Sequence, residues 1–414
     1  MAGDRVMRTK AFRGPWSILG LLWIAFALNY VDRQIAYSIF PALRRGLGFN
    51  QVQLGLIGTV FLWTYAVSML PAGRAADHLS RRALILASLG LWSVATAGCG
   101  LATSPAVFLC WRAVIAISEA LYVPAALGML AALHPDATRS TALSIHASAQ
   151  VAGVVAGGWY GGWAADHIGW RAGFLAIAAA GLAYAVFLAF VLVDVPDGPT
   201  AKASPPAGLR DLLRSPCYVA LCAAFFPFCA TIWMFYTWLP DLLYARHGLS
   251  MERSGLIATA SLQISSVIGI LAGGRLADRL AHAVRPARLY VAGAGVVLSP
   301  GFYYLVFAAS SMAGVQLCSV AFGLTAGLMM GNVFAAGYDA LPECAYGIGA
   351  GVVNMCGALG GGLCVLLAGV AKGYNGIQRL SAVTAVLTAG AGLMLLLVVA
   401  SQYGHLARPD RRKR

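Results

Sequence analysis

The feature that most constrains this chain is a recurring one. Apolar runs of about 20 residues, each closed by a polar or Gly/Pro break, follow one another from residue 16 to residue 402. A run of that length is what an α-helix needs to cross the hydrocarbon core of a bilayer. Twelve spans are counted, at 16–40, 51–72, 83–103, 105–131, 140–163, 172–194, 217–243, 252–273, 287–309, 315–338, 347–371 and 378–402. Composition agrees: of 414 residues, 60% are hydrophobic and 11% charged, where a soluble domain carries about 25% charged. Too few charges exist to coat a soluble particle. A soluble enzyme, a disordered chain and a secreted scaffold are excluded, and the chain reads as an all-α polytopic membrane protein.

The longest polar stretch between spans, Val195–Pro216, has six spans on either side. This predicts an N-terminal six-helix bundle over 1–194, a central cytoplasmic loop over 195–216 and a C-terminal six-helix bundle with a short basic tail over 217–414. Orientation follows from Lys and Arg alone. With the N-terminus in the cytoplasm, twenty of the 29 basic residues fall on the cytoplasmic side and seven outside, while Arg33 and Arg112 lie within spans. Both termini are therefore expected to be cytoplasmic, and the net charge of +14 is a positive-inside signature rather than a nucleic-acid footprint. The basic segment before Trp16 resembles the start of a signal peptide, but the apolar run behind it is too long and has no small-residue cleavage site. It reads as an uncleaved first helix. The nine cysteines are odd in number, lie in or beside apolar segments and form no CxxC spacing, so buried thiols are expected rather than a disulfide framework or a metal site.

Repeats add a further constraint. The segment after span 2 reads Gly73-Arg-Ala-Ala-Asp77-His-Leu-Ser-Arg81-Arg82, and the segment after span 8 reads Gly274-Arg-Leu-Ala-Asp278-Arg-Leu280, 201 residues on. A fainter echo follows span 5, Gly162-Trp-Ala-Ala-Asp166-His-Ile-Gly-Trp-Arg171, displaced by 89 residues. In the assigned topology the 201-residue repeat stays on the cytoplasmic side and the 89-residue repeat falls outside. That is the pattern of two parallel halves, each built from inverted three-helix units. A solvated turn that sets topology would explain the arginines, but not a Gly and an Asp held at fixed spacing in three copies.

The twelve spans, the central loop and the stretch Gly73–Arg82 resemble the major facilitator superfamily of secondary transporters over essentially the whole chain. The loop pattern of that family is Gly-x-x-x-Asp-(Arg/Lys)-x-Gly-Arg-(Arg/Lys). Gly73, Asp77, Arg81 and Arg82 match it, whereas His78 and Ser80 stand in place of a basic residue and a glycine. The resemblance implies a gating role for Gly73, Asp77, Arg81 and Arg82, and for Asp278 in the second half. In the family this loop latches the halves on the cytoplasmic side, its Asp lying near the N-terminal end of helix 11. Unpaired N–H groups and the helix dipole favour an anion there.

Ionisable residues inside spans are expensive and so mark function. Span 1 holds Asn29-Tyr30-Val31-Asp32-Arg33 and span 4 holds Arg112 and Glu119, two acids and two arginines that sum to zero. At the helical rise, Asp32 and Arg112 lie roughly 12 Å and roughly 10 Å from the outer ends of their spans. Asp32, Arg33 and Arg112 can then share a level, with Glu119 about two turns further on and nearer the midplane. Burial favours a neutral acid and a neighbouring arginine a charged one, a balance suited to proton coupling. A guanidinium offers a planar fork that fits a carboxylate or phosphate. The competing account is purely structural, with Asp32–Arg33 tuning the first helix and Arg112–Glu119 holding the half together, but burying four charges for packing alone is costly.

The run "NYVDRQ" in span 1, with an Arg and a Glu seven apart in span 4, resembles the anion:cation symporter and Spinster-like branches. In those branches the helix-1 Asp and helix-4 Glu carry the proton and the two arginines bind or gate. The resemblance thus implies proton coupling for Asp32 and Glu119 and substrate binding for Arg33 and Arg112, with Asn29 and Tyr30 beside them. The small glycines that usually precede the Glu are here Ala116, Ile117 and Ser118.

Span 5 adds His146 and Gln150, four apart and so on one face, as further substrate-binding candidates, with packing as the competing role for His146. Gly153, Gly157 and Gly161 form a ridge that lets helices approach closely. The stretch Gly157-Gly158-Trp-Tyr-Gly161-Gly162 lacks the proline found there in drug/proton antiporters of the superfamily, which argues against multidrug export. In the second half the polar candidates are Gln263, Ser266, Asn332 and Asn354. The cluster from Trp233 to Trp238 reads first as an interfacial belt, but "YTWLP" resembles the organic-anion symporters and so implies substrate contacts for Tyr236 and Trp238. The Gly-rich run 347–362 lies inside a span and reads as close packing rather than a phosphate loop.

No nucleophile–base set, metal site or nucleotide loop is visible, so neither an enzyme nor a cofactor is expected. The chain reads as a monomeric multi-pass protein of the cell membrane, a bacterial inner membrane, that couples protons to a small organic anion such as a sugar acid by alternating access. Its expected partners are that anion, protons and the lipid bilayer, not nucleic acid. Export of a lysolipid or another amphipathic molecule, as the Spinster-like resemblance allows, is the alternative.

Overall fold

The computed structural model describes residues 14–193, 209–371 and 373–403. The basic residues before 14, positions 194–208 of the central segment, Lys372 and the tail from 404 lie outside the described residues, as do the side chains of Asp77, Asp136, Leu209 and Glu343. Among the described residues every regular element is helical. The elements are α1 (Pro15–Ser38), α2 (Phe40–Leu47), α3 (Gln51–His78), α4 (Arg81–Gly100), α5 (Pro105–Leu133), α6 (Asp136–His167), α7 (Trp170–Val191), the single turn α8 (Leu209–Leu213), α9 (Pro216–His247), α10 (Met251–Ala281), α11 (Ala287–Ala308), α12 (Met312–Asp339), a 3₁₀ turn (Glu343–Ala345), α13 (Tyr346–Val370) and α14 (Gly373–Tyr403).

Local chemistry sets these boundaries. Asn50 and Gln53 close a reciprocal capping box at the start of α3. Ser80, Ser104 and Ser311 each accept a backbone N–H in the first turn of α4, α5 and α12. Pro41, which has no N–H to give, coincides with the interruption at Ile39 that separates α1 from α2. Gly48 ends α2 with φ of 70°, a conformation that side chains with a Cβ rarely adopt.

Among the described residues, eleven helices are long and apolar enough to cross a membrane. Each coincides with one of the expected spans. The fifth expected span, at 140–163, is occupied by α6, whose 32 residues suffice to cross but whose Ala, Gly, Ser, His and Gln content dilutes its apolarity. The glycines have a reason to be there. A Cβ on Gly157 would lie 2.6 Å from the Val31 carbonyl, and one on Gly161 would lie 2.9 Å from Ile35 Cα, so α6 runs backbone to backbone along α1.

The chain folds into two compact units. The first takes Met1–Ala201 together with Pro240–Thr259, and the second takes Lys202–Leu239 with Ala260–Arg414. In the first unit α1 packs along α6, α5 lies against α3 and α4, and α4 lies against α7. In the second, α11 packs against α12 and α14. There Gly360 of α13 meets the Phe226 carbonyl of α9, repeating the glycine seam between α6 and α1.

One feature of the first unit is reciprocal. Arg82, at the start of α4, donates from Nε to the Leu192 carbonyl and from Nη2 to the Ala189 carbonyl, both at 2.6 Å, at the end of α7. Arg171, at the start of α7, donates to the Gly100 and Ala102 carbonyls at 3.0 and 2.7 Å, at the end of α4. Each arginine satisfies orphan carbonyls and complements the negative end of its neighbour's dipole. Hydrogen bonds to a charged donor contribute about 1–2 kcal/mol in partly exposed settings. Arg82→Met and Arg171→Met should therefore each lower the apparent Tm of the detergent-purified protein by a few degrees, while Arg253→Met leaves it unchanged.

Candidate functional site

All four span-buried charges predicted from sequence lie in the first unit, on α1 and α5. Arg33 Nη2 donates to Glu119 Oε2 at 2.8 Å. Glu119 is 0% exposed and Arg33 6%. The Arg33 guanidinium also lies 4.5 Å from the ring centroids of Tyr30 and Phe61 and 5.2 Å from that of Tyr65, with Asn29 Oδ1 at 3.5 Å. Arg112, 0% exposed, reaches the Arg33 carbonyl at 3.5 Å and faces the rings of Phe61 at 5.0 Å and Tyr37 at 5.9 Å. Its Nε and Nη1 have no hydrogen-bond partner in the protein. Asp32 is 0% exposed. Arg112 is its principal charged neighbour and Thr96 lies beside it, yet neither carboxylate oxygen accepts a well-formed hydrogen bond.

The relation is thus crosswise rather than within each helix: Arg33 pairs with Glu119, while Asp32 has Arg112 as its principal charged neighbour with no hydrogen bond between them. The reason is geometric. Consecutive residues on α1 point about 100° apart, so Asp32 and Arg33 meet different positions on α5, and the long Arg33 side chain spans the rise between them. The arrangement is also under-satisfied: Asp32 Oδ1 and Oδ2, Glu119 Oε1, Arg33 Nε and two Arg112 nitrogens are buried without partners. Each such group costs about 1–3 kcal/mol, and a buried network that tolerates this is a place to look for ligand or proton chemistry.

Phe61 was not singled out by sequence reasoning. It is fully buried on α3 and its ring carries both guanidinium groups, a cation–π arrangement that offsets part of their desolvation. The available signal was the aromatic pair Phe61 and Tyr65, four apart and stacked at 6.0 Å, which a hydropathy count treats as ordinary span residues.

His146, buried on α6, stacks on Phe26 at 4.6 Å, with Nε2 3.2 Å from the Tyr122 hydroxyl. That hydroxyl donates its one proton to the Leu22 carbonyl at 2.6 Å, so toward His146 it accepts, which assigns the proton to Nε2. Gln150 is half-buried one turn further along α6.

In the second unit the predicted residues have separate environments. Trp238 is fully buried, with Nε1 donating to the Val365 carbonyl at 3.3 Å. Asn332 is buried and donates to the Leu328 carbonyl at 2.9 Å. Tyr236 is half-buried against Trp233 and Phe235, and Asn354 is exposed. Among the residues given a gating role, Asp278 pairs with Arg288 at 3.2 Å, and Arg288 also holds Asp339 at 3.0 Å. Gly73 lies in the last turns of α3, with its Cβ position open. Arg81 sits against Gly128 of α5, and Arg82 clamps α7. The side chain of Asp77 lies outside the described residues.

Comparison with known proteins agrees with this architecture. The chain is 29% identical over 274 residues to an MFS-type efflux pump of Mycolicibacterium smegmatis, an alignment covering 65% of this chain and 64% of that protein. It is 25% identical over 428 residues to the D-galactonate transporter of Escherichia coli O6:H1, covering 95% and 97%. The crystal structure of a bacterial homolog of the human lysosomal transporter Spinster, inward-facing and unoccupied, shares the fold with a TM-score of 0.83 at 19% identity, over 96% of this chain and 99% of that one. A sequence model of the Major Facilitator Superfamily matches residues 22–365. The chain therefore belongs to the Major Facilitator Superfamily, and it is a multi-pass membrane transporter rather than an enzyme.

Proposed function

We propose that the chain is a proton-coupled symporter of a small organic anion, a sugar acid or similar carboxylate, working by alternating access with both termini cytoplasmic. The observation that carries this reading is the crosswise set of four buried charges: Arg33 held by Glu119 at 2.8 Å, and Asp32 beside Arg112 with both carboxylate oxygens unpartnered. A proton on Glu119 weakens its hold on Arg33, and a proton on Asp32 removes the charge that faces Arg112. Each guanidinium then has donors for an incoming carboxylate. Loss of the protons restores the Arg33–Glu119 pair and the negative charge that faces Arg112, and the anion leaves. Substrate and proton move together because the two ionised acids repel the anion and compete for its arginines. The similarity to a D-galactonate transporter supports a sugar acid. Asn29, Tyr30, His146 and Gln150 supply neutral polar groups suited to its hydroxyls.

Proteoliposomes test the reading. An inward proton gradient should drive accumulation of D-galactonate, an ionophore should return it to the equilibrium level, and Asp32→Asn should abolish the accumulation. Uptake indifferent to the gradient and to Asp32→Asn, or net extrusion against it, would overturn symport.

A further inference from the structure

All nine cysteines are free thiols, and two of them meet. Cys222 of α9 and Cys356 of α13, both in the second unit, share a hydrogen bond from sulfur to sulfur, and both are half-buried. One turn before Cys222, the Tyr218 hydroxyl lies against the Cys222 thiol and donates to the Gly349 carbonyl of α13 at 2.7 Å.

Helix register explains the meeting. α9 and α13 run parallel: Tyr218 bonds Gly349 near the start of both helices, and Trp238 bonds the Val365 carbonyl further along. The two backbones touch at Phe226 and Gly360, where a Cβ on the glycine would collide with the Phe226 carbonyl. Cys222 and Cys356 each stand four residues before that contact. In parallel helices a four-residue step keeps nearly the same face. The register that sets backbone against backbone at Phe226 and Gly360 therefore sets sulfur against sulfur one turn earlier. Gly357 serves the same seam: a Cβ there would lie 2.7 Å from the Phe225 ring and 2.8 Å from Cys229 Sγ. Cys364, also on α13, is engaged differently, by Met234 Sδ at 3.6 Å and Thr384 Oγ1 at 3.7 Å. A disulfide needs Cβ atoms about 3.5–4.5 Å apart, and helices that touch one turn away hold Cys222 and Cys356 close to that requirement.

We propose that Cys222 and Cys356 are a reversible oxidation site, which a peroxide closes to a disulfide between α9 and α13. One thiolate attacks a peroxide oxygen, breaking the O–O bond to give a sulfenic acid and hydroxide. The second thiolate then attacks that sulfur and displaces its hydroxyl as hydroxide, and the two hydroxides take up the two thiol protons. Overall, two thiols and one hydrogen peroxide give one disulfide and two waters, the sulfurs oxidised and the peroxide oxygens reduced. Thiol reductants reopen the bond by exchange. Hydrogen peroxide is small and uncharged, so it reaches half-buried sulfurs inside a span where a charged oxidant does not. The bond adds a covalent tie to a seam built on glycine contacts. The inference rests on packing within the second unit and not on proton coupling or on the substrate.

Peptide mapping of the full chain in detergent micelles tests it without substrate, so a failed symport reading leaves the test intact. Hydrogen peroxide is added to dilute protein, the remaining thiols are blocked with N-ethylmaleimide, and the digest is read by mass spectrometry. The main intramolecular linked peptide should join Cys222 to Cys356, and dithiothreitol should remove it. Cys222→Ala and Cys356→Ala should each lose that peptide. Cys110→Ala with Cys344→Ala, which removes the two exposed thiols, should leave its yield unchanged. A parent protein in which no Cys222–Cys356 peptide forms, or in which Cys356 joins mainly to Cys229, would overturn the site.

Discussion

Glu119→Ala should be far more damaging to the folded protein than Glu119→Gln, while the two should be equally dead in gradient-driven transport. Alanine leaves the Arg33 guanidinium buried with Asn29 Oδ1 at 3.5 Å as its remaining side-chain acceptor. Removing one partner of a buried pair costs about 3–5 kcal/mol. Aromatic faces at 4.5 Å offset part of that but supply no lone pair. Glutamine keeps an oxygen where Oε2 now sits, 2.8 Å from Nη2, so the variant should fold with a loss near 1 kcal/mol. It cannot take up or release a proton. Gradient-driven accumulation should therefore fall to background in both, while exchange of anion at equal concentrations survives in Glu119→Gln alone. Thermal unfolding and the two transport assays separate these outcomes. Equal destabilisation by alanine and glutamine would show that the Arg33–Glu119 pair does not hold α1 to α5.

A second large effect concerns a residue that carries no chemistry. Gly157→Ala places a methyl 2.6 Å from the Val31 carbonyl and 2.8 Å from Val31 Cα, where backbone has nowhere to move. Overpacking of this kind costs about 1–3 kcal/mol, against a helix-propensity gain of about 1 kcal/mol. Val31 precedes Asp32 and Arg33, so displacing α1 also misplaces both site residues. Gly90→Ala is the contrast: its Cβ would meet nothing within 4 Å, and it should be neutral or slightly stabilising. Opposite signs of ΔTm for one chemical change in two membrane helices are expected. Similar shifts would remove the close α1–α6 seam from the account.

Particular elements show what was legible in the sequence. The long helices were, because span length and apolarity are one-dimensional properties; α6 was counted as an apolar run with the rest, although its small and polar residues keep it out of the eleven helices that meet the hydropathy of a span. The four buried charges were legible for the same reason, since an ionised group in an apolar run has no cheap explanation. Their partners were not. Whether Arg33 meets Asp32 or Glu119 depends on the rotation of α1 against α5, which packing decides and composition does not record. Phe61 escaped notice because an aromatic in a span is unremarkable until two guanidinium groups are found on its faces. The glycine doublets needed the fold as well: Gly157 and Gly161 face α1, whereas Gly158 and Gly162 face the start of α10. The ridge of Gly153, Gly157 and Gly161 lies on one seam along α1, and Gly158 and Gly162 form a second beside it.

Symport of a proton with an anion is the central claim, and proton counting tests it most directly. Proteoliposomes in weakly buffered medium are given D-galactonate, and external pH is followed alongside uptake of the labelled anion. The account predicts alkalinisation of the medium that tracks anion entry in the parent protein and is absent in the Asp32→Asn, Glu119→Gln double variant. Anion entry with no proton movement in the parent, or proton movement unaltered in the double variant, would contradict it.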